Sequence, residues 1–422
     1  MTRHSSTPPD ASMLTPDVLI IGAGPSGLSA GTELVKRGHR VLVVEREAVA
    51  GGIPRHCAHK GFGIRDLHRV LDGPTYAERL VANAQRTGVT IWTNAMVTDW
   101  SASSGATITS PHGRFHVTPR ATILATGARE RPRAARLLPG NRPSGIYTTG
   151  QLQNSVHLHH QRVGSRAVIL GAELVSFSAV MTLREAGCRT VAMVTEHPRP
   201  EAYAPVATAG GLLFRFPVLV GHRVTRIIGR TQLEGIEVEN LATSQRRVIA
   251  CDTLITSGDW VPDHELARMG GLMVDRRSKA PIVDTGLRTN TPGVFAIGNL
   301  VHPVDTGDVA ALDGRHVVAS VEQWLSNTTP TLTTLTLRPA GILTWIAPSQ
   351  WGEPAAHPSR GRYLGWVEAF ARFPRVTVRQ GGRVVATKRL LWPAVPGRLF
   401  RMPSTLLRGV TASGGDVTIE VQ

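Results

Sequence analysis

Residues 18–45, VLIIGAGPSGLSAGTELVKRGHRVLVVE, constrain this chain more than any other stretch. An apolar, β-branched run leads into Gly22, Gly24 and Gly27, which fill a G-x-G-x-x-G frame. A helical segment and a second apolar strand follow, closed by Glu45. In such a βαβ unit the first glycine allows a tight turn, the second lets backbone approach a pyrophosphate, and the third lets helix pack on strand. The free N–H groups and partial positive charge at the helix start then face the phosphates. Glu45, 23 residues after Gly22, ends the second strand where a carboxylate accepts hydrogen bonds from an adenosine ribose. These residues predict a dinucleotide site; a tight βαβ turn with no ligand is the alternative.

The pattern recurs. Residues 168–196 repeat the order of strand, turn, helix, strand and acid, with Gly171 opening the turn and Glu196 closing the second strand. Between the two units lies a β-branched strand, ATILATG, at residues 121–127. Another apolar strand, TPGVFAIGN, ends at Gly298 and Asn299, and a helical stretch runs from about Asp308 to Leu325. The order predicts an α/β protein with two Rossmann-like dinucleotide-binding domains, the second inserted in the first. Expected boundaries are 16–150 with 275–328 for the first domain, 151–274 for the second and 335–422 for a β-rich C-terminal domain. Residues 1–15, polar and proline-bearing, read as a disordered arm.

Charge and cysteine usage narrow the function classes. The formal net charge is +16, which suits nucleic acid at first sight. Lysine is nearly absent, however, and the arginine excess is spread through every segment without an aromatic-interleaved basic stripe. A compositional bias explains it better than a nucleic-acid surface, and none is expected. No run of eighteen apolar residues exists, so no transmembrane helix is expected. The first fifteen residues lack the apolar segment of a signal peptide, which points to the cytoplasm. Cys57, Cys188 and Cys251 are too few and too scattered for a disulfide framework or a zinc site, so no metal is expected.

Narrower motifs accompany the two units: GGIPRHCAHKGFGIRDLHRVLDGPTYAERL at 51–80, then LATGARERP, YTTGQLQ and AIGNLVHPVDTGDVAALDGRH. With the glycine fingerprint, they make residues 16 to about 325 resemble the two-dinucleotide-binding-domain flavoproteins of the pyridine nucleotide–disulfide oxidoreductase superfamily. Within it, the chain is most similar to FAD/NAD-type subunits of bacterial amine, sarcosine, opine and hydroxyproline dehydrogenases. The resemblance implies FAD on the first unit, against Gly22, Gly24, Pro25, Ser26, Gly27, Glu45, Arg46, Gly52, Val97, Ala125, Thr126 and Gly127. It also implies that Gly298 and Asn299 hold the ribityl chain and that the helix at Asp308 and Val309 points its start at the isoalloxazine. The second unit normally binds NAD(P)H, here by way of Gly171, Glu173 and Glu196. A small-molecule substrate, an oligomeric assembly and a second flavoprotein subunit follow from the same likeness.

Three departures from those relatives matter. Disulfide reductases of the superfamily carry a redox-active cysteine pair, whereas here only Cys57 lies near the first unit, so disulfide reduction is not expected. Cys57 lies between His56 and His59, with Lys60 beyond; basic neighbours lower a thiol's pKa. It is read as either a reactive thiolate or a packed thiol, with the two imidazoles as acid–base candidates or structural histidines. Second, Glu173 stands at the middle-glycine position of the second fingerprint and Ser176 at the third. A carboxylate there opposes a pyrophosphate by bulk and by charge, which disfavours NAD(P)H. Third, Asn299 replaces the usual aspartate, an amide that still serves a ribityl hydroxyl as donor or acceptor. No cysteine follows Cys251, so the iron–sulfur cluster of some longer relatives is not expected.

Beyond a threonine-rich segment at 326–338, read as a linker or edge, short stretches alternate apolar and polar residues like strands. Gln380, Gly381 and Gly382 mark a hairpin turn. Trp345, Trp351, Trp366 and Trp392 are expected in a small β core, with a partner interface or active-site cover as the sharper possibility. The leading expectation is a FAD-dependent dehydrogenase or electron-transfer subunit oxidising an amine, an imino or amino acid, or a related small metabolite. The alternatives are an NAD(P)H-dependent flavoprotein reductase and a non-catalytic nucleotide-binding scaffold subunit.

Overall fold

A computed structural model describes residues 10–203, 216–331, 333–353 and 357–422. The chain forms two compact units. The first takes residues up to 55, 60–128 and 261–422; the second takes 56–59 and 129–260. The exchange of chain falls at Ala128 and Val261, some twenty and fourteen residues earlier than the sequence placed it. Of the expected N-terminal arm, residues 1–9 lie outside the described residues. Residues Ala11–Leu14 form a 3-10 turn, with Met13 and Leu14 packed against the core, so this part is no arm.

The first unit begins with β1 (Val18–Ile21), α1 (Pro25–Lys36) and β2 (Val41–Val44). All eight strand residues are buried, as a parallel sheet covered on both faces demands. Proline suits the first turn of α1 because its fixed φ fits the helix and its missing N–H is one that no helical carbonyl would have received. The helix α2 (Gly73–Arg86), capped by the Asp72 carboxylate, β3 (Thr90–Trp92) and β4 (Ala121–Leu124) follow.

The second unit has its own five-stranded parallel sheet. Its strands are β5 (Ile146–Thr148), β6 (Arg166–Leu170), β7 (Arg189–Val194), β8 (Val218–Leu219) and β9 (Thr253–Thr256). They pair in parallel in the order β5-β9-β6-β7-β8, with α3 (Leu174–Glu185) joining β6 to β7. Cys188 and Cys251 are buried thiols in the apolar clusters of this unit.

The chain then returns to the first sheet as β10 (Val294–Ala296), completing the parallel order β10-β4-β1-β2-β3. α4 (Gly307–His316) and α5 (Val318–Leu325) follow. α4 crosses α1 so closely that a side chain on Gly314 would collide with the Ser26 carbonyl.

The C-terminal module belongs to the first unit. It has a five-stranded sheet ordered β13-β11-β18-β15-β16: β11 (Thr333–Gly341), β13 (Gln350–Glu353), β15 (Arg375–Gln380), β16 (Arg383–Arg389) and β18 (Val417–Val421). A three-stranded sheet, β12 (Leu343–Ala347), β14 (Arg362–Val367) and β17 (Phe400–Pro403), shares its apolar core. Residues 333–338, expected as linker or edge, lie in β11, where 333–336 pair with β13 and 337–338 with β18, so the stretch is strand rather than linker and has a strand neighbour on one side only. The hairpin at Gly381 and Gly382 is present, both residues at positive φ as a tight two-residue turn between twisted strands requires. Of the tryptophans, Trp351 lies in the β core, while Trp345 joins the core of the Rossmann-type fold and stacks on Trp366 at 6.1 Å. Trp392 is 42% exposed, so the expectation of core packing fails there.

Candidate cofactor site

The first fingerprint forms an open cradle. Gly22 has φ +109, and a Cβ on it would sit 2.5 Å from the Ala125 carbonyl oxygen. A Cβ on Gly27 would collide with the Gly22 carbonyl. Gly24, by contrast, has nothing within 4 Å of where its Cβ would project. Two glycines therefore permit the fold, and the third leaves space for something outside it. The Gly51–Gly52 turn lies against this loop: Gly51 N–H donates to the Ala23 carbonyl at 2.8 Å, and Gly52 approaches the Gly24 Cα.

Glu45 is buried, with one carboxyl oxygen accepting from Ala23 N–H and the other from Glu47 N–H, each at 3.0 Å. Burial is the main cause that pushes its pKa up, opposed by those two backbone donors. Arg46 is exposed and lies 3.8 Å from Asp263. Val97 is buried in the core. The Thr126 hydroxyl donates to the Asp263 carbonyl at 2.7 Å, and Gly127 accepts from Asp263 N–H at 2.9 Å. The Ala-Thr-Gly strand end is thus tied to the returning chain rather than free.

Pro25, Ser26, Gly298 and Gly307 come together where the starts of α1 and α4 approach. A Cβ on Gly298 would meet Ser26 Oγ at 2.7 Å, and one on Gly307 would touch the Pro25 ring at 3.5 Å. Asn299 Nδ2 donates to the Asp305 carbonyl at 2.9 Å, while its buried Oδ1 has no hydrogen-bond partner. Asp308 is fully buried: it accepts from Arg65 N–H at 3.0 Å and Val309 N–H at 3.0 Å, and pairs with the Arg65 guanidinium at 3.2 Å. Its carboxylate is engaged with protein, and Val309 is buried beside it. Arg65 carried no sequence signal, because its partner lies 243 residues away.

These residues fit FAD. Two helix starts, an open face at Gly24 and an orphaned amide oxygen at the ribityl position are what a flavin dinucleotide would engage.

In the second unit, the corresponding turn is filled. Gly171 has φ +123, as the turn requires, but Glu173 caps α3 and is 8% exposed. Its carboxyl crowds Gly258 so tightly that a Cβ there would collide with it, and lies 3.2 Å from the Cβ position of Gly171. Ser176 Oγ accepts from Glu173 N–H at 3.2 Å and donates to Ser257 Oγ at 2.9 Å. Burial, then Glu201 and Glu130, push Glu173 up to about 8, against the opposing pull of Arg136. At neutral pH the group is therefore largely protonated. Of the bulk and charge expected at this position, the bulk is present in the turn, while burial opposes the charge. Glu196 is exposed past the end of β7. Glu130, Glu201 and Arg136 were not foreseen, since nothing in their spacing marks them as neighbours of Glu173.

Of the two readings of Cys57, the reactive thiolate fails and the packed thiol agrees with the structure. It is buried, with Sγ 3.3 Å from Gln153 Oε1. Burial and Glu130 push the thiol up to about 12, so the flanking basic residues do not activate it. His56 is buried and His59 half-buried. Arg131 pairs with Asp259 at 3.0 Å.

Residues 16–323 match the family described as pyridine nucleotide-disulphide oxidoreductase. The chain belongs to this family. It is a family of flavin-type oxidoreductases, and relatives of this member include oxidase subunits. The alpha subunit of the sarcosine oxidase of Corynebacterium sp. (strain P-1) is 29% identical over 208 residues, covering 46% of this chain. This alignment spans only 21% of that subunit's length. An opine oxidase subunit of Agrobacterium tumefaciens (strain Ach5) is 26% identical over 316 residues, 67% of this chain and 61% of the relative. Among solved structures, the thioredoxin reductase of T. acidophilum superposes with a TM-score of 0.62 at 20% identity, over 75% of this chain and 99% of that one. The last likeness concerns the fold. No helix among the described residues is long and apolar enough to cross a membrane, and none of their His, Cys, Asp and Glu side chains form a metal cluster.

Proposed function

We propose that this protein is a FAD-dependent oxidoreductase that takes electrons from an amine, an imino or amino acid, or a related small metabolite, not from NAD(P)H. The carrying observation is the contrast between the open face at Gly24 and the carboxyl-filled turn at Glu173. Bound at the first cradle, a flavin would supply two-electron acceptance from the substrate. The chain's own residues would do the rest. The start of α1 faces phosphate, Glu45 receives the adenosine ribose, Asn299 Oδ1 accepts from a ribityl hydroxyl, and the first N–H groups of α4 favour negative charge beside them. Disulfide reduction is left out of this reading because no second cysteine accompanies Cys57 in sequence. The relatives named as subunits support an assembly with a partner subunit.

The test is an anaerobic absorbance spectrum of the purified chain before and after NADH or NADPH. Flavin bands that persist with either nicotinamide and bleach with a member of an amine and imino-acid panel support the reading. Rapid bleaching by NADH would make the protein a nicotinamide-linked reductase instead.

A further inference from the structure

The C-terminal module meets the Rossmann-type fold at the loop between Asn299 and α4. Two of its guanidiniums converge on one carboxylate: Arg360 lies 3.7 Å from Asp305 Oδ2, and Arg401 lies 3.5 Å from Asp305 Oδ1. The Asp305 side chain is 2% exposed, so its counter-charge comes from the module rather than from water. The backbone carbonyl of the same residue receives Asn299 Nδ2. In the same loop, the buried His302 pairs with Asp313 of α4.

Backbone on both sides of this contact sits in the left-handed region, Val304 at φ 94 and Arg360 at φ 58. Such a conformation is costly for a side chain with a Cβ, most of all a β-branched one, and persists where surrounding contacts hold it. The module is also seated by Trp345 and Ala347, which join the core of the Rossmann-type fold, and by Gln350 N–H donating to the Val283 carbonyl at 3.1 Å.

We propose that Arg360 and Arg401 are positioning residues for Asn299: the module holds Asp305, and Asp305 holds the amide. This rests on the FAD reading above. An asparagine amide presents either its oxygen or its nitrogen to a neighbour, and only its partners decide which. With Nδ2 fixed on Asp305, Oδ1 is left as the acceptor for a hydroxyl donor. Releasing Asp305 frees the loop and the amide with it. The β module is then part of the cofactor site, reaching it through two guanidiniums.

The experiment titrates full-length apoprotein with FAD, following flavin fluorescence, with the melting temperature of each apoprotein as a control for folding. The R360Q/R401Q variant should bind FAD at least about tenfold more weakly, as loss of two ion pairs to a buried carboxylate implies. Asn299→Ala should weaken binding similarly, and adding R360Q/R401Q to it should change little more, because the arginines act through the amide. If the double variant does not fold, R401Q is compared with R401K, which should restore most of the affinity. Unchanged affinity in R360Q/R401Q, or losses that simply add to that of Asn299→Ala, would overturn the proposal. A wild-type chain that takes up no FAD overturns the parent reading, and this inference with it.

Discussion

The two dinucleotide folds of this chain share a plan and differ at two of the three glycine positions, most of all at the middle one. In the first, the middle glycine of the turn opens onto empty space; in the second, Glu173 fills the equivalent place with its own carboxyl. Both turns keep a first glycine at positive φ, and both lead into a twelve-residue helix. Residues that make the turn foldable are therefore separable from the residue that makes it receptive. A Rossmann-type topology shows only that backbone N–H groups reach a common point. What they face there depends on the side chains that stand at the glycine positions.

Gly24→Val should produce the largest effect and test that separation directly. Gly24 has extended backbone, φ −80 and ψ −176, which valine adopts without strain, and no protein atom opposes its Cβ. The fold should persist, with an apoprotein melting temperature close to that of wild type. FAD affinity should fall by about 100-fold or more, the scale of overpacking a filled site. Gly27→Val is the contrast, since its Cβ would collide with backbone, and it should lose both fold and cofactor. Equal damage to the fold from both substitutions would erase the distinction between foldable and receptive residues.

Glu173→Gly should give the next largest effect, in the opposite direction. Emptying the second turn should bring measurable NADH binding where wild type shows little, a gain on the order of tenfold or more, readable by quenching of NADH fluorescence. An unchanged, weak response would mean that other residues close the second fold, with Ser176 and its bond to Ser257 next in line.

Much of this was legible in the sequence, and the limits follow from physics. The fingerprint, the Ala-Thr-Gly strand and the Gly381–Gly382 hairpin are local signals, set by backbone requirements within a few residues, and the structure contains all three. Glu173 was visible as a misfit at a glycine position. Its protonation was not, because burial and the approach of Glu201 and Glu130 are properties of the folded unit. Cys57 shows the same limit more sharply. Its neighbours in sequence are basic, but the group that acts on it in space is Glu130, and burial outweighs both. The contact of Arg360 and Arg401 with Asp305 spans up to 96 residues and leaves no trace in spacing.

A smaller effect should appear in the pH dependence of stability. An acid whose folded pKa lies above its unfolded value binds its proton more tightly in the native state. Stability therefore falls as pH rises between the two values. For Glu173 the window runs from the ordinary carboxylate range to about 8. Glu201, Glu130 and Asp259 face it and oppose its ionisation, and Arg136 favours it. Glu173→Gln keeps the size and removes the titration, so its melting temperature should change less than that of wild type between pH 5 and about 8. Parallel curves for the two proteins would place the titrating acid elsewhere.

The smallest effect is expected at Cys57, and it concerns rate rather than stability. A thiol pushed up to about 12 and buried against Gln153 offers almost no thiolate at pH 8. Alkylation of the native protein by iodoacetamide should leave Cys57 largely unmodified while the unfolded chain reacts readily, as peptide mass analysis would show. Selective, rapid modification of Cys57 in the native state would mean that its loop opens on the experimental timescale. The thiol would then return as a reactive group, despite the closed geometry of its surroundings. In that case the contrast between an open first cradle and a closed second unit would describe only the ground state of the second unit.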